Sequence, residues 1–145
     1  MDKKGFTLIE LLAVIIVLSI VMLIAVPSIG GIYKSIQNSM LNEKTTIIEE
    51  AAILFGEDIK GSIMSSNTKY NGNKCKSFIV SDLVPEYLSK DNEEACLESD
   101  SLSNAGCIID PRNKDNYLDK YEVIIYYKNR RIKAVVDTDN TLICS

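Results

Sequence analysis

Residues 6–26 read FTLIELLAVIIVLSIVMLIAV, a run of 21 residues in which Glu10 is the only ionisable side chain. As an α-helix this run would be about 31 Å long at 1.5 Å per residue, close to the roughly 30 Å hydrocarbon core of a bilayer. A secretory signal peptide fits less well, since its apolar run covers only about 7–15 residues and ends at a small-residue cleavage site. The sequence therefore predicts a membrane-spanning helix over residues 6–27.

The charge distribution and the cysteines indicate the side of the membrane on which the remaining residues lie. Lys3 and Lys4 precede the apolar run, and the positive-inside rule places such residues in the cytoplasm. Residues 1–40 carry a net charge of +1 and residues 41–145 carry −5. All four cysteines lie in the second segment, which suits an oxidising compartment. We therefore expect a single-pass precursor with an extracellular C-terminus.

Two disulfide bridges are the expected use of Cys75, Cys96, Cys107 and Cys144. A zinc site is disfavoured, because no two cysteines have the close Cys-x2-4-Cys spacing of zinc ligands. The sequence leaves three connectivities open. We prefer Cys75 with Cys96 and Cys107 with Cys144, the latter closing the C-terminal end.

An amphipathic helix is predicted over residues 28–60. Apolar residues recur at steps of three, four and seven, which is typical of a helix with one buried face. The stripe consists of Ile29, Ile32, Ile36, Met40, Ile47, Ala51, Leu54 or Phe55, and Ile59. The opposite face, with Lys34, Asn38, Glu49 and Lys60, is expected to be exposed to solvent.

Residues 61–120 are predicted to be mainly loop. The polar stretch 61–76 is expected to be exposed, and FIVSDLVPEYL at 78–88 to form a short element with Ser81 or Asp82 as helix N-cap. Leu83, Val84, Tyr87 and Leu88 are expected to turn inward.

A β-meander is predicted over residues 121–144. Its strands are YEVIIYYK at 121–128, IKAVVD at 132–137 and TLIC at 141–144, with CIID at 107–110 as an optional fourth. Its apolar face needs a partner, and the helix at 28–60 is the long amphipathic element available. The predicted fold class is α+β, a helix laid across a small antiparallel sheet.

Several function classes are excluded by composition. The chain contains no His, which removes the commonest general base and most nucleophile pairs, so an enzyme is not expected. A net charge of −4 and a pI near 4.9 argue against nucleic-acid binding. No cofactor and no resident metal are expected.

Two residues of the apolar helix indicate function. A charged Glu10 costs about 2.5–3.5 kcal/mol at a bilayer centre, less nearer the interface, and its own segment is expected to offer no partner. Pro27 removes a helix hydrogen bond at a cost of about 3 kcal/mol, and Gly30 and Gly31 follow it. We expect a weak point in the helix there.

Residues 3–29 resemble the N-terminal signature of type IV pilins and the related pseudopilins, through the basic residues, the Gly5-Phe6 junction and Glu10. The order of long helix, loop, β-meander and C-terminal Cys is similar to the pilin fold. The resemblance implies that residues 1–5 are a leader, which a prepilin peptidase removes between Gly5 and Phe6 before it methylates the Phe6 amine. It further implies a subunit that leaves the membrane through an inner assembly platform and polymerises with its own copies and other pilins. Glu10 would then pair with the Phe6 amine of a neighbour, and Pro27 would mark a kink that unwinds on assembly.

Two other interpretations of this N-terminus remain besides that of a pilus subunit. One is a pseudopilin of a type II secretion or DNA-uptake apparatus, and the other is a signal-anchored extracellular binding module that never polymerises. Residues 28–145 are expected to form an extracellular globular head. In this head, Asp110, Asn113, Asp115, Asn116 and Asp119 resemble a pseudopilin calcium loop, although a solvated acidic loop is favoured. Lys128, Arg130, Arg131 and Lys133 form the one basic cluster, interpreted first as an exposed hairpin tip and second as a contact with an acidic face of a neighbour.

Overall fold

The computed structural model describes residues 7–91, 107–113 and 115–145, with the backbone alone at residues 25–29. These residues belong to two compact units, Met1–Asn38 and Ser39–Ser145. The predicted leader at residues 1–5, the cleavage-site residues Gly5 and Phe6, and Cys96 lie outside the described residues.

Helix α1 runs over Leu8–Asp58, and a short helix α2 follows at Lys60–Met64. The helix predicted over residues 28–60 is thereby confirmed, as the second part of α1. Helical backbone continues through Pro27. The weak point expected there would unwind only on assembly, so it stays a prediction.

The head contains a four-stranded antiparallel sheet in the order β1-β2-β3-β4. The strands are β1 at Lys69–Tyr70, β2 at Asn73–Ile79, β3 at Glu122–Lys128 and β4 at Arg131–Asp137. The α+β fold and the β3–β4 hairpin agree with the sequence prediction. A 3-10 helix at Val80–Leu83 follows β2.

Residues 61–76 were predicted to be an exposed loop. Most of them are exposed, but the prediction that they lack secondary structure is wrong. They contain most of α2, all of β1 and the first half of β2. Asn71 and Gly72 have φ values of 47° and 77°, as a two-residue type I′ turn requires. The Asn-Gly pair therefore indicates a hairpin, whereas the polar composition of this stretch indicated a loop.

Other predictions for the head also need correction. Ile79, not Ser81 or Asp82, is the N-cap of the 3-10 helix, and its backbone N–H donates to the Asp82 carboxylate at 3.2 Å. Residues 107–110 form no strand of the sheet and contribute a single bridge, Ile109 to Tyr117. Residues 141–144 are not a strand either.

The predicted stripe of α1 is confirmed in part. Ala51 lies in the core, and Phe55 and Ile59 pack against it. Met40 and Ile47 are instead exposed, and their neighbours Leu41 and Ile48 are buried. Both stripes follow helical spacing, so periodicity alone does not separate them. Small residues decide the contact, because a Cβ on Gly56 would lie 2.6 Å from Cγ2 of both Ile125 and Ile132. The helix thus packs closely on one face of the sheet.

Glu49 was predicted to be solvated and instead ties α1 to the edge of the sheet. Its Oε1 accepts a hydrogen bond from the Val136 backbone N–H of β4 at 3.1 Å. An edge strand exposes unpaired backbone groups, and a carboxylate from the covering helix satisfies one of them.

The opposite face of the sheet, here called the outer face, carries the C-terminal strap of residues 138–145. The Asp137 carboxylate accepts the backbone N–H groups of Asp139, Thr141 and Leu142 at 3.2, 3.1 and 3.0 Å, which turns the chain back over the sheet. Cys144 is bonded to Cys75 of β2, and Ser145 pairs with Lys69 through two backbone hydrogen bonds.

The Cys75–Cys144 disulfide overturns the preferred pairing of Cys75 with Cys96 and of Cys107 with Cys144. The strap carries Cys144 to the middle of the sheet rather than to residues 107–110, because Asp137 fixes the direction in which the chain leaves β4. Cys107 is also disulfide-bonded.

Candidate functional site

The start of α1 is organised by Thr7 and Glu10. Thr7 donates from its backbone N–H and from its hydroxyl to Oε2 of Glu10, both at 3.1 Å, and the Glu10 N–H lies 3.4 Å from the Thr7 hydroxyl. This reciprocal pattern is a capping box, which satisfies backbone donors that a helix N-terminus otherwise leaves unpaired. The expectation that the segment offers Glu10 no partner is therefore wrong. The signal was present as Thr-x-x-Glu at 7–10.

The capping box leaves part of the Glu10 carboxylate available. Both bonds from Thr7 end on Oε2, and Oε1 has no hydrogen-bond partner among the residues that the structure describes. An acidic residue in the first turn also interacts favourably with the helix dipole. The arrangement holds one carboxylate oxygen at the end of the helix with capacity to accept a further donor.

The helix surface after Glu10 is apolar and uncovered within Met1–Asn38. Every large apolar side chain between residues 8 and 24 is exposed, from 49% at Val14 to 83% at Leu8. The Ser19 hydroxyl donates to the Ile15 carbonyl oxygen at 2.7 Å, so it adds no unpaired donor. A contiguous apolar surface of this extent marks an interaction site for lipid or protein.

The described part of the chain holds no helix that combines the length and the hydropathy needed to cross a membrane. Pro27 lies within α1, where the structure describes its backbone alone.

The acidic loop at 110–119 holds its carboxylates in internal contacts. Arg112 donates to both oxygens of Asp110, with Nη2 at 2.7 Å from Oδ2, and this hydrogen bond holds the pKa of the Asp110 carboxyl below its usual value. Asp119 accepts the backbone N–H groups of Cys107 and Ile108 at 3.0 and 2.8 Å. Asp110 and Asp119 are both buried.

These contacts make the loop a structural element. The Asp115 N–H donates to the Asn113 side-chain oxygen at 3.1 Å, and the Asp110 N–H donates to the Asn116 carbonyl oxygen at 2.8 Å. Over residues 7–91, 107–113 and 115–145, no group of three His, Cys, Asp or Glu side chains is placed to hold a metal.

A second polar cluster ties residues 107–109 to α1. Lys44 Nζ forms an ion pair with Asp91 and donates to the Ile109 carbonyl oxygen at 2.7 Å. Asp91 in turn accepts the Ile109 N–H at 2.7 Å. These three residues connect the segment after residue 106 to the helix.

Tyr126 and Tyr127 are sheet residues, as predicted. The Tyr126 ring lies 5.2 Å from the Tyr70 ring on the outer face, and burial raises the pKa of the Tyr126 hydroxyl.

Comparison with known proteins matches residues 1–26 to the family described as the prokaryotic N-terminal methylation motif. The matched range contains the predicted leader, the Gly5-Phe6 junction and the capping box of α1. This signal is consistent with a type IV pilin or a pseudopilin. No solved structure matches the chain.

Proposed function

We propose that this chain, whose first 26 residues carry the N-terminal methylation motif, is a structural subunit of a type IV pilus. The proposal rests on the N-terminal part of α1. The Glu10 carboxylate there takes part in a capping box with Thr7, and the large apolar side chains that surround and follow it are exposed. Such a helix must be covered by lipid, by other helices, or by each in turn. A pilus subunit uses both coverings at successive stages.

Processing creates the cation that the helix lacks. The prepilin peptidase, which also acts as N-methyltransferase, cuts between Gly5 and Phe6, and the new amine on Phe6 is mostly protonated at pH 7 because an α-amino group has a pKa near 7.7–8.0. Thr7 then becomes the second residue of the mature chain, so the new amine lies next to the capping box.

Assembly brings this amine to Glu10 of a neighbouring copy. Oε1 of Glu10 is the oxygen available to accept it, since Oε2 is held by Thr7. In an apolar bundle an unpaired carboxylate or ammonium costs several kcal/mol, so the pair favours the register in which both charges are matched. Its contribution is to the specificity of packing more than to net stability.

The remaining apolar surface allows transfer from membrane to filament. Lipid tails and Leu or Ile side chains are similarly apolar, so the helix can exchange one covering for the other at small cost. Before assembly the precursor spans the membrane once, with Lys3 and Lys4 in the cytoplasm and the head outside. Pro27 marks the place where α1 unwinds when the subunit leaves the membrane through the inner assembly platform.

A pseudopilin of a type II secretion or DNA-uptake apparatus is the second candidate, because the methylation motif favours it equally. The two differ in the length of the assembly, so electron microscopy of surface material labelled with an antibody against the head separates them. Long filaments favour the pilus, and short fibres confined to the envelope favour the pseudopilin.

Mass spectrometry of the native protein tests the proposal. We expect a chain that begins at N-methylated Phe6 and that is recovered from assembled filaments together with other pilins. An intact chain beginning at Met1 and recovered as a monomer would instead identify a membrane-anchored binding module.

A further inference from the structure

The β3–β4 hairpin carries opposite charges at its two ends on one face. Directly paired residues of an antiparallel sheet point to the same side, and side chains alternate along each strand. The outer face therefore carries, in order, the pairs Glu122 with Asp137, Ile124 with Val135, Tyr126 with Lys133, and Lys128 with Arg131. It is acidic at one end, apolar in the middle and basic at the other.

The basic end is exposed and unpaired. Lys128, Arg131 and Lys133 are exposed, and none of them forms an ion pair with any residue that the structure describes. Arg130 sits in the turn with a φ of 62°, where a glycine is the residue preferred in two-residue hairpins. A cationic side chain at a backbone position that disfavours it points to a use for the charge.

The acidic end opens into a cavity of about 410 Å³ between the sheet and the C-terminal strap, lined by Ser77, Glu122, Asp137, Asn140, Leu142 and Ile143, with Cys144 beside them. Among the residues that the structure describes, no Lys or Arg lines it. The Asp137 carboxylate is occupied by three backbone N–H groups, whereas Glu122 accepts a single bond from the described part of the chain, from the Ser77 hydroxyl at 3.0 Å. Glu122 therefore supplies an exposed carboxylate with capacity for a cation.

The two ends cannot meet within one molecule. Glu122 and Lys128 are six residues apart on the same strand, a separation of about 20 Å at 3.4 Å per residue. Two copies in a row can bring them together, and a contact between two different patches generates an open polymer when it does not close into a ring.

We propose that the basic hairpin tip of one head docks into the Glu122 cavity of the next copy in the filament. This inference rests on the proposed function, since it takes a second copy of the chain as the partner. Charge complementarity favours that partner. The tip is positively charged although the chain has a net charge of −4, so it is attracted to the acidic end of another copy.

Charge reversal tests the pairing in cells that express the full chain. We expect Glu122→Lys, and a tip variant that combines Lys128→Glu, Arg131→Glu and Lys133→Glu, to lower the filament yield at least fivefold each. Combining the two should restore the yield to within twofold of wild type, because the tip is then acidic and the cavity basic. Glu86→Lys and Lys90→Glu are matched controls, because they reverse exposed charges outside the hairpin and should leave the yield within twofold. Wild-type yield from both Glu122→Lys and the tip variant, or no recovery in their combination, would overturn the pairing.

Zero-length carbodiimide crosslinking of wild-type filaments is the second measurement. A bond between Glu122 and Lys128 must join two copies, since the intramolecular gap is about 20 Å. We expect this crosslinked peptide pair in filaments, with at least fivefold less of it in Arg131→Glu material. Its absence from filaments whose subunits begin at Phe6 would overturn the docking and leave the pilus function intact, whereas an uncut wild-type chain would overturn the pilus function itself.

Discussion

Gly56 of α1 and Ile132 of β4 approach so closely that a Cβ at position 56 would lie 2.6 Å from Cγ2 of the isoleucine. The same Cβ would lie 2.6 Å from Cγ2 of Ile125. Both contacts are to branched, buried side chains with little freedom to move away. The distance between helix and sheet is therefore set at Gly56, next to the small residues Ala51 and Ala52.

Replacing Gly56 by Ala should destabilise the head. The added methyl forces the helix away from the sheet at a cost of about 1–3 kcal/mol, which exceeds the gain of roughly 1 kcal/mol in helix propensity. Urea denaturation of the full chain in detergent measures the change. Gly61→Ala is the control, because nothing lies within 4 Å of its Cβ, and it should be neutral or stabilising. Equal stability of the two variants would contradict the close approach.

The Cys75–Cys144 disulfide joins two residues that are 69 positions apart in the sequence, and its removal should lower the free energy of unfolding. Chain-entropy arguments give a contribution of about 4 kcal/mol for a loop of this length. We expect Cys75→Ala with Cys144→Ala to lower the free energy of unfolding by about 2–5 kcal/mol. A non-reducing peptide map of the wild-type protein checks the pairing and identifies the partner of Cys107. A map that links Cys144 to Cys107 would contradict the position of the strap.

Asp110 and Arg112 predict a defined loss of stability in acid. Because the hydrogen bond from Arg112 lowers the pKa of Asp110 in the folded state, the carboxylate contributes stability above its ordinary pKa of about 3.9. That contribution is lost as the pH falls through the lowered folded pKa. Asp110→Asn should therefore be about 2 kcal/mol less stable than wild type at pH 7, with the difference shrinking below about pH 4.

Denaturation curves between pH 7 and pH 2.5 measure this dependence. Asp115→Asn is the control, because Asp115 is exposed, and it should track wild type to within about 0.5 kcal/mol. A constant difference between Asp110→Asn and wild type down to pH 2.5 would contradict the assigned ion pair.

Lys44 should matter more to stability than Lys60 of α2, whose ion pair is exposed. Lys44→Met removes a partner from Asp91 and from the Ile109 carbonyl oxygen, and we expect a loss of about 1.5–3 kcal/mol. Lys60→Met removes an exposed ion pair with Glu57 and should cost at most about 1 kcal/mol. Thermal unfolding followed by near-UV circular dichroism compares the two, and an equal effect would contradict the connection through Asp91.

Features with strong local signals could be predicted from the sequence. The apolar run, the Gly5-Phe6 junction and Glu10 identify the N-terminal signal without any tertiary information, and the matched methylation motif agrees with that identification. The strands at 121–128 and 132–137 were also predictable, because β-branched and aromatic residues are dense there.

Features that depend on tertiary contacts could not be predicted. The stripes containing Met40 and Leu41 are both helical in spacing, and only the approach at Gly56 selects the buried one. The disulfide pairing depends on a turn that the Asp137 side chain organises, which no cysteine spacing reveals. The β1–β2 turn differs from these features, because Asn71 and Gly72 are a local signal for it that the sequence analysis missed in a polar stretch.

The most direct test of the central claim is the filament yield of Glu10→Val, measured together with its N-terminal mass. We predict that the variant is still cut and methylated at Phe6, because the cleavage site is unchanged, and that filaments fall at least tenfold because the Phe6 amine loses its partner. Glu50→Val is the matched control, since it removes an exposed carboxylate from the same helix and should assemble normally. Filaments at wild-type yield from a correctly processed Glu10→Val chain would contradict the account.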